Sequence, residues 1–172
     1  MAPGPDLPLT EHVVLALIAE GTTHGWALAR LLEPDGEIGR VWTVRRPLVY
    51  RAIGQLLERG LVREAGDAPS ERGPRRTLVR ITPAGRRAAK AWLAQPVRHV
   101  RDVRTELLVK LLLSDRAGVD ARDLLAQQRL VLEPQARELE RRLEAAEGFD
   151  AVLLRWRVEA SEAALRFLTA GQ

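Results

Sequence analysis

The chain has 172 residues, 46% of them hydrophobic and 29% charged, with a formal net charge of +4 and no cysteine. These values exclude a disordered tail, a disulfide framework, a thiol nucleophile and a cysteine-based zinc site. No apolar run reaches the ~20 residues that span a bilayer, and MAPGPDLPLT has neither the basic start nor the apolar centre of a secretory signal, so the expected location is cytoplasmic with no membrane partner.

Charge is unevenly spread. Residues 1–39 carry one basic and six acidic side chains, residues 40–90 thirteen and four, and residues 91–172 thirteen of each. A basic middle fits contact with a polyanion. The plain alternative is a solvated surface.

In chain order, Thr10 is placed as the cap of a first helix in which Val13, Val14, Leu17 and Ile18 recur on one side and which Gly21 ends. A second helix opens near His24-Gly25, where an imidazole nitrogen can cap backbone N–H groups. It carries Trp26, Ala29, Leu31 and Leu32 and breaks at Pro34 and Gly36. Glu37 to Val44 reads as a short strand or extended connection with Val41, Trp42 and Val44 turned to the core.

From Pro47 to Arg59, Val49, Ile53, Leu56 and Leu57 form one apolar stripe and leave Arg51, Gln55 and Arg59 on another side. Pro47 suits a first helical turn, and Gly60 ends the helix. Thr43, Arg45 and Arg46 then lie at or before the helix start, where free N–H groups attract phosphate. Leu61-Val62-Arg63 and Thr77 to Ile81 form a hairpin around DAPSERGPRR, whose Arg72, Arg75 and Arg76 offer planar donor forks for phosphate. Thr82-Pro83 opens a further helix, Thr as cap and Pro in the first turn.

The second half is helical throughout. Ala88, Ala89, Trp92 and Leu93 mark the helix after Thr82, and Leu107, Leu108, Leu111 and Leu112 mark the segment from Val103 to Leu113. A long pattern from Asp120 to Glu147 places Leu125, Gln128, Leu132, Ala136, Leu139 and Leu143 on one stripe, with Pro134 expected to kink it. A last helix after Gly148 lines up Val152, Leu153, Trp156, Ala160, Ala163, Ala164 and Phe167. Two such helices at the end of a small chain are expected to pair with a second subunit; an intramolecular hairpin on the first domain is the alternative.

LTEHVVLALIAEGTTHGWALARLL, PLVYRAIGQLLERGLV, RGPRRTLVRITPAG and RDVRTELLVKLLL together resemble the PadR-type transcriptional regulators over nearly the whole chain. The resemblance implies a mainly α fold: a winged helix-turn-helix domain with a small two- to three-stranded β-wing over residues 1–95, and a helical dimerisation domain over 96–172. It further implies a homodimer that binds double-stranded DNA, with Thr43, Arg45, Arg46, Tyr50, Arg51, Gln55, Arg72, Arg75 and Arg76 as the expected contacts. Two departures stand out. Leu78 and Val79 occupy a wing strand that commonly carries aromatics, and the reading helix begins TVRRP in place of small polar residues.

The expected dimer interface is Leu139, Leu143, Leu153, Trp156, Ala160, Ala163 and Phe167. A small-molecule effector is a secondary expectation, with Trp92 and Trp156 as the pocket candidates. His12, His24 and His99 fall into no metal-ligating spacing, and there is no Gly-rich phosphate loop, so neither metal, cofactor nor enzymatic activity is expected. The expected function is thus a transcriptional regulator, a repressor on an inverted-repeat operator. Its competitor is a winged-helix module for protein contact without an operator.

Overall fold

A computed structural model describes residues 6–68 and 76–170. In chain order these form α1 (Leu9–Glu20), β1 (Thr23–His24), α2 (Gly25–Leu32), α3 (Arg46–Glu58), β2 (Val62–Ala68), β3 (Arg76–Ile81), α4 (Pro83–Leu93), α5 (Leu108–Arg116), α6 (Arg122–Glu144) and α7 (Gly148–Ala170). The strands make one antiparallel sheet in the order β1-β3-β2. The architecture is a mainly helical winged helix followed by a helical tail.

Helix α1 is apolar on every side. Val13 to Ile18 are all buried, and α3, α4, α5 and β3 pack around them. A helix apolar all round must lie inside a core, because no orientation leaves it a wet face. Thr10 does not cap it. Pro8 precedes the first turn in extended conformation, and its carbonyl accepts the first helical bond from His12 N at 3.1 Å. Helix α2 starts as expected: His24 Nδ1 accepts from Ala27 N at 3.1 Å. Its buried residues are Gly25, Leu28, Ala29 and Leu32, while Trp26 is exposed.

The connection from Glu37 to Val44 is a series of turns, against the expected strand. Ile38 N and Gly39 N both donate to Leu31 O, and Val44 N donates to Leu32 O. Amides spent on the free carbonyls at the end of α2 cannot pair in a ladder. The third strand is instead Thr23–His24, paired with Val79 and Leu78.

Helix α3 buries Val49, Ala52, Ile53 and Leu56 on α1, with Leu57 partly covered. Gly60 ends it at φ 64°, with Gly60 N donating to Leu57 O and Leu61 N to Leu56 O. This left-handed cap turns the chain straight into β2. Val62 pairs with Ile81 and Arg63 with Arg80, and a bulge between Glu64 and Asp67 twists the hairpin outward. Asp67, Ala68 and Arg76 extend the ladder past the expected strand ends. Thr82 Oγ1 accepts from Gly85 N at 3.1 Å and opens α4 as its sequence indicates.

The tail departs from expectation in phase. Before α5 the chain makes a π-turn at Val103–Leu107. Its wider loop shifts the helical register, so Leu107, Val109, Lys110 and Leu113 are buried, whereas Leu108, Leu111 and Leu112 are only half-buried. Along α6, Leu125, Gln128, Leu132 and Ala136 are buried, and the helix runs through an exposed Pro134. Gln128 meets the backbone of Val97 twice, accepting from its N–H at 2.7 Å and donating to its carbonyl at 2.8 Å. Helix α7 packs on α6 through Leu154, Val158, Ser161, Ala164 and Leu168. Of the face read from sequence only Ala164 belongs to that row; Val152, Trp156 and Phe167 are exposed.

Head and tail share a polar joint. Lys110, 1% exposed, donates to Gln95 O at 2.7 Å and pairs with Glu106 at 2.8 Å. Its ammonium lies 4.9 Å from the Trp92 ring centre, and Trp92 Nε1 donates to Glu106 at 2.9 Å. His12 stacks on the Trp92 ring as well, centroids 4.9 Å apart. Burial holds the His12 pKa down, from 6.5 to about 4, with the Lys110 charge in the same direction and the Glu106 and Asp6 carboxylates opposing. The unfolded chain therefore takes up a proton at His12 as pH falls through 6.5, and the folded chain does so only near 4. Acid thus favours unfolding across that window. After allowance for partial exposure the loss amounts to on the order of 2 kcal/mol. Denaturant melts at pH 7 and pH 4.5 measure it, and His12→Gln should remove this part of the acid sensitivity.

Candidate nucleic-acid interface

Helix α3 presents two polar rows opposite its buried stripe: Arg46, Tyr50, Gly54 and Glu58, and beside them Pro47, Arg51 and Gln55. Rows of residues four apart lie on one helix face, so Tyr50, Arg51 and Gln55 face outward together. Arg51 is exposed, Tyr50 is 49% exposed, and Gln55 donates to Glu58 at 3.0 Å. No atom stands within 4 Å of the point where a Cβ on Gly54 would lie. The middle of the row is therefore open to close approach from outside.

At the start of α3, Arg45 occupies the cap position and Arg46 the first helical position, both exposed. Thr43 is exposed as well, its hydroxyl donating to Gly39 O at 3.0 Å. Arg46 Nη2 donates to Glu33 Oε1 at 2.7 Å, and Arg30 Nη1 donates to Glu33 Oε2 at 2.7 Å. The hydrogen bond from Arg46 is the main cause that holds the Glu33 carboxyl below the usual carboxylate range. Glu33 is thus a full negative charge at neutral pH, set in the corner between α2 and α3.

The wing joins this face from the side. Arg76, the first residue of β3, lies with its guanidinium 4.9 Å above the Trp26 ring. Trp26 in turn leans on His24, ring centres 6.3 Å apart. The start of α2 thereby holds the loop end of β3. Arg80 Nε donates to Thr22 Oγ1 at 2.9 Å and ties β3 to the segment before β1. Arg72 and Arg75 lie outside the described residues.

Three residues of this face went unread in the sequence. Glu33 finds Arg46 across a helix corner, with no local signal. Trp26 reads as core by periodicity, yet it carries the wing. Gly25 is buried under the Tyr50 ring, so that a Cβ there would stand 2.5 Å from its Cε1. The adjacent His24, Gly25 and Trp26 thus do three jobs: capping, seating the Tyr50 ring and supporting Arg76.

The structure does not bring the two pocket candidates together. Trp92 is 5% exposed in the joint, while Trp156 is 71% exposed. Trp156 lines an open cavity of about 890 Å³ with Leu139, Leu153, Ala160, Ala163 and Phe167, and Val100, Arg101, Val103 and Arg104 line it too. Leu143 is half-buried outside it. Among the described residues no cluster of His, Asp and Glu is arranged to hold a metal, and no helix is long and apolar enough to cross a membrane.

Residues 14–91 match the model of the transcriptional regulator PadR-like family. No curated protein sequence matches the chain. Among solved structures, PadR of Bacillus subtilis in complex with operator DNA aligns at 16% identity over 95% of this chain and 97% of that one, with a TM-score of 0.50. The same protein in complex with p-coumaric acid aligns at 16% identity over 94% and 92%, TM-score 0.43. A PadR-like transcriptional regulator from Bacillus cereus aligns at 16% over 94% of each chain, TM-score 0.42.

The seat of Tyr50 is open to direct test. Gly25→Ala should keep the fold, since the ring that must move is half in water and alanine is the better helix former by about 1 kcal/mol. The ring should leave its place, and NMR of the only tyrosine in the chain reports that displacement. Unchanged Tyr50 resonances in a folded variant would contradict this seating.

Proposed function

We propose, from the match of residues 14–91 to the PadR-like family model, that this chain is a PadR-like transcriptional regulator acting as a homodimeric repressor on an inverted-repeat operator. The observation that carries the reading is the joint placement of α3 and the wing. A helix with an outward Tyr50-Arg51-Gln55 face has an arginine-rich start and, beside it, a basic strand anchored on α2. Such a helix fits a major groove, while Arg45, Arg46 and Arg76 fit the flanking phosphates. The solved PadR relative with operator DNA supports the same use of the fold.

Residues 1–95 are proposed as the reading domain, with Thr43, Arg72 and Arg75 completing its contacts, and residues 96–172 as the dimerisation domain. The pairing surface proposed is the outer face of α7 with the neighbouring part of α6. Val152 is 63% exposed, Trp156 71% and Phe167 41%, beside Leu139, Leu143, Leu153, Ala160 and Ala163. An apolar face of this size is costly to leave in water. A small flat effector would enter the cavity beside Trp156 and act by favouring one dimer geometry over another.

Selection of genomic fragments by the purified protein tests the reading: enrichment of one palindromic site supports it, and binding without sequence preference sinks it. Arg51→Ala and Gln55→Ala should each cost about 1–3 kcal/mol of discrimination between operator and random duplex. Arg76→Ala should weaken all duplexes alike and flatten the salt dependence by roughly one unit of slope.

Assembly gives a separate measurement. Burying a Trp and a Phe can contribute several kcal/mol to association, so the chain should sediment as a dimer at micromolar concentration. Trp156→Glu with Phe167→Glu should give folded monomers, because neither side chain belongs to the row that packs on α6. A double variant that remains dimeric would place the interface elsewhere.

A further inference from the structure

We propose that Glu33 sets the specificity of the reading head: its carboxylate occupies Arg46 in place of a DNA phosphate until α3 is seated in the groove. The inference rests on the DNA-binding reading above and adds to it a residue that opposes binding. Glu33 ends α2, thirteen residues before Arg46, and its two oxygens take one guanidinium each, Arg46 and Arg30, both at 2.7 Å. A carboxylate that accepts from arginine forks presents the same acceptor geometry as a phosphate. It stands beside the first turn of α3, where the free N–H groups of a helix also favour an anion. Carboxylate and phosphate therefore compete for one set of donors.

Exposure decides which partner yields. The Arg46 side chain is 52% exposed and that of Arg30 60%, against 26% for Glu33. The acid is the fixed member, and the arginines are long side chains in water that can exchange partners at small cost. A phosphate held in place by a seated helix can take Arg46 over. A backbone that meets the head loosely faces a negative charge with its counter-charges already engaged. Glu33 thus lowers affinity for DNA in general more than affinity for the site that the helix fits.

The test compares wild type, Glu33→Gln, Arg46→Ala and the double variant on one random-sequence duplex over a series of salt concentrations. Glutamine keeps the shape and removes the charge, and circular dichroism melts confirm that each variant is folded. Glu33→Gln should bind the random duplex roughly 5-fold tighter, with a salt slope steeper by about one unit. The gain should vanish when Arg46→Ala is also present. Equal or weaker binding by Glu33→Gln, a gain that persists without Arg46, or no duplex binding by any of the four proteins overturns the proposal. Random duplex requires only the basic face, so a chain that lacks an operator would fail the genomic selection and still give a clear answer here.

Discussion

Everything else in the structure is arranged around the burial of α1. Val13 to Ile18 are six consecutive buried residues, and a helix without a wet side needs partners all around it. Helix α3 covers one side, α4 another, β3 a third, and α5 closes what remains. The last of these matters most for function. Helix α5 follows the reading domain in sequence, yet Val109 and Leu113 belong to the same core as α1. Leu107, two residues before Val109, belongs to the second core with Leu124, Leu132 and Leu168. Residues two apart on a helix face opposite sides, so Leu107 and Val109 reach different cores from the start of α5. The tail is consequently built into the head.

That arrangement separates the surfaces by chemistry. The proposed reading face consists of arginines and one tyrosine on the outer side of α3, with Arg76 held over Trp26. The outer face of α7 exposes the apolar Val152, Trp156 and Phe167 among charged neighbours of both signs. Such a division is what the proposed function requires, a polyanion on one surface and a second copy on another. It also limits how much electrostatic repulsion a dimer would suffer, because residues 91–172 carry thirteen positive and thirteen negative side chains.

Features set by one or two neighbouring residues were legible in the sequence. Thr82-Pro83, Pro47, Gly60 and His24 each satisfy or remove a specific backbone group, so their meaning is independent of the rest of the fold. The α3 stripe and the α6 stripe were legible too, since each packs along a single line. What was lost depends on long-range partners. Nothing local shows that Thr23–His24 would pair with β3, or that the amides of residues 38, 39 and 44 would be spent on α2 carbonyls. Helix α7 has two apolar rows, and periodicity picked the heavier one, with Trp156 and Phe167, where the fold buries the lighter row of Leu154, Val158 and Leu168. Within the site the cationic residues stood out by their charge. Their acidic counterpart, Glu33, did not, because its meaning lies in two contacts made across a helix corner.

The connection between α2 and α3 shows how polar contacts divide labour with the core. Arg116 at the end of α5 donates to both oxygens of Glu20, at 2.9 and 2.7 Å, and also to Glu37 in the connection. The two glutamates raise its pKa above the ordinary arginine value, the Glu20 hydrogen bond being the largest cause. Glu33, four residues before Glu37, holds Arg46 at the head of the reading helix. Partly exposed ion pairs such as these contribute about 0–1 kcal/mol each, whereas burial of Val109 and Leu113 is worth about 1.5–3 kcal/mol per side chain. The apolar contacts therefore keep α5 on the head, and the ion pairs add a polar contact between its end, α1 and the connection. Any turn of α5 that draws Arg116 from Glu37 removes one of the side-chain contacts on the connection that carries Glu33.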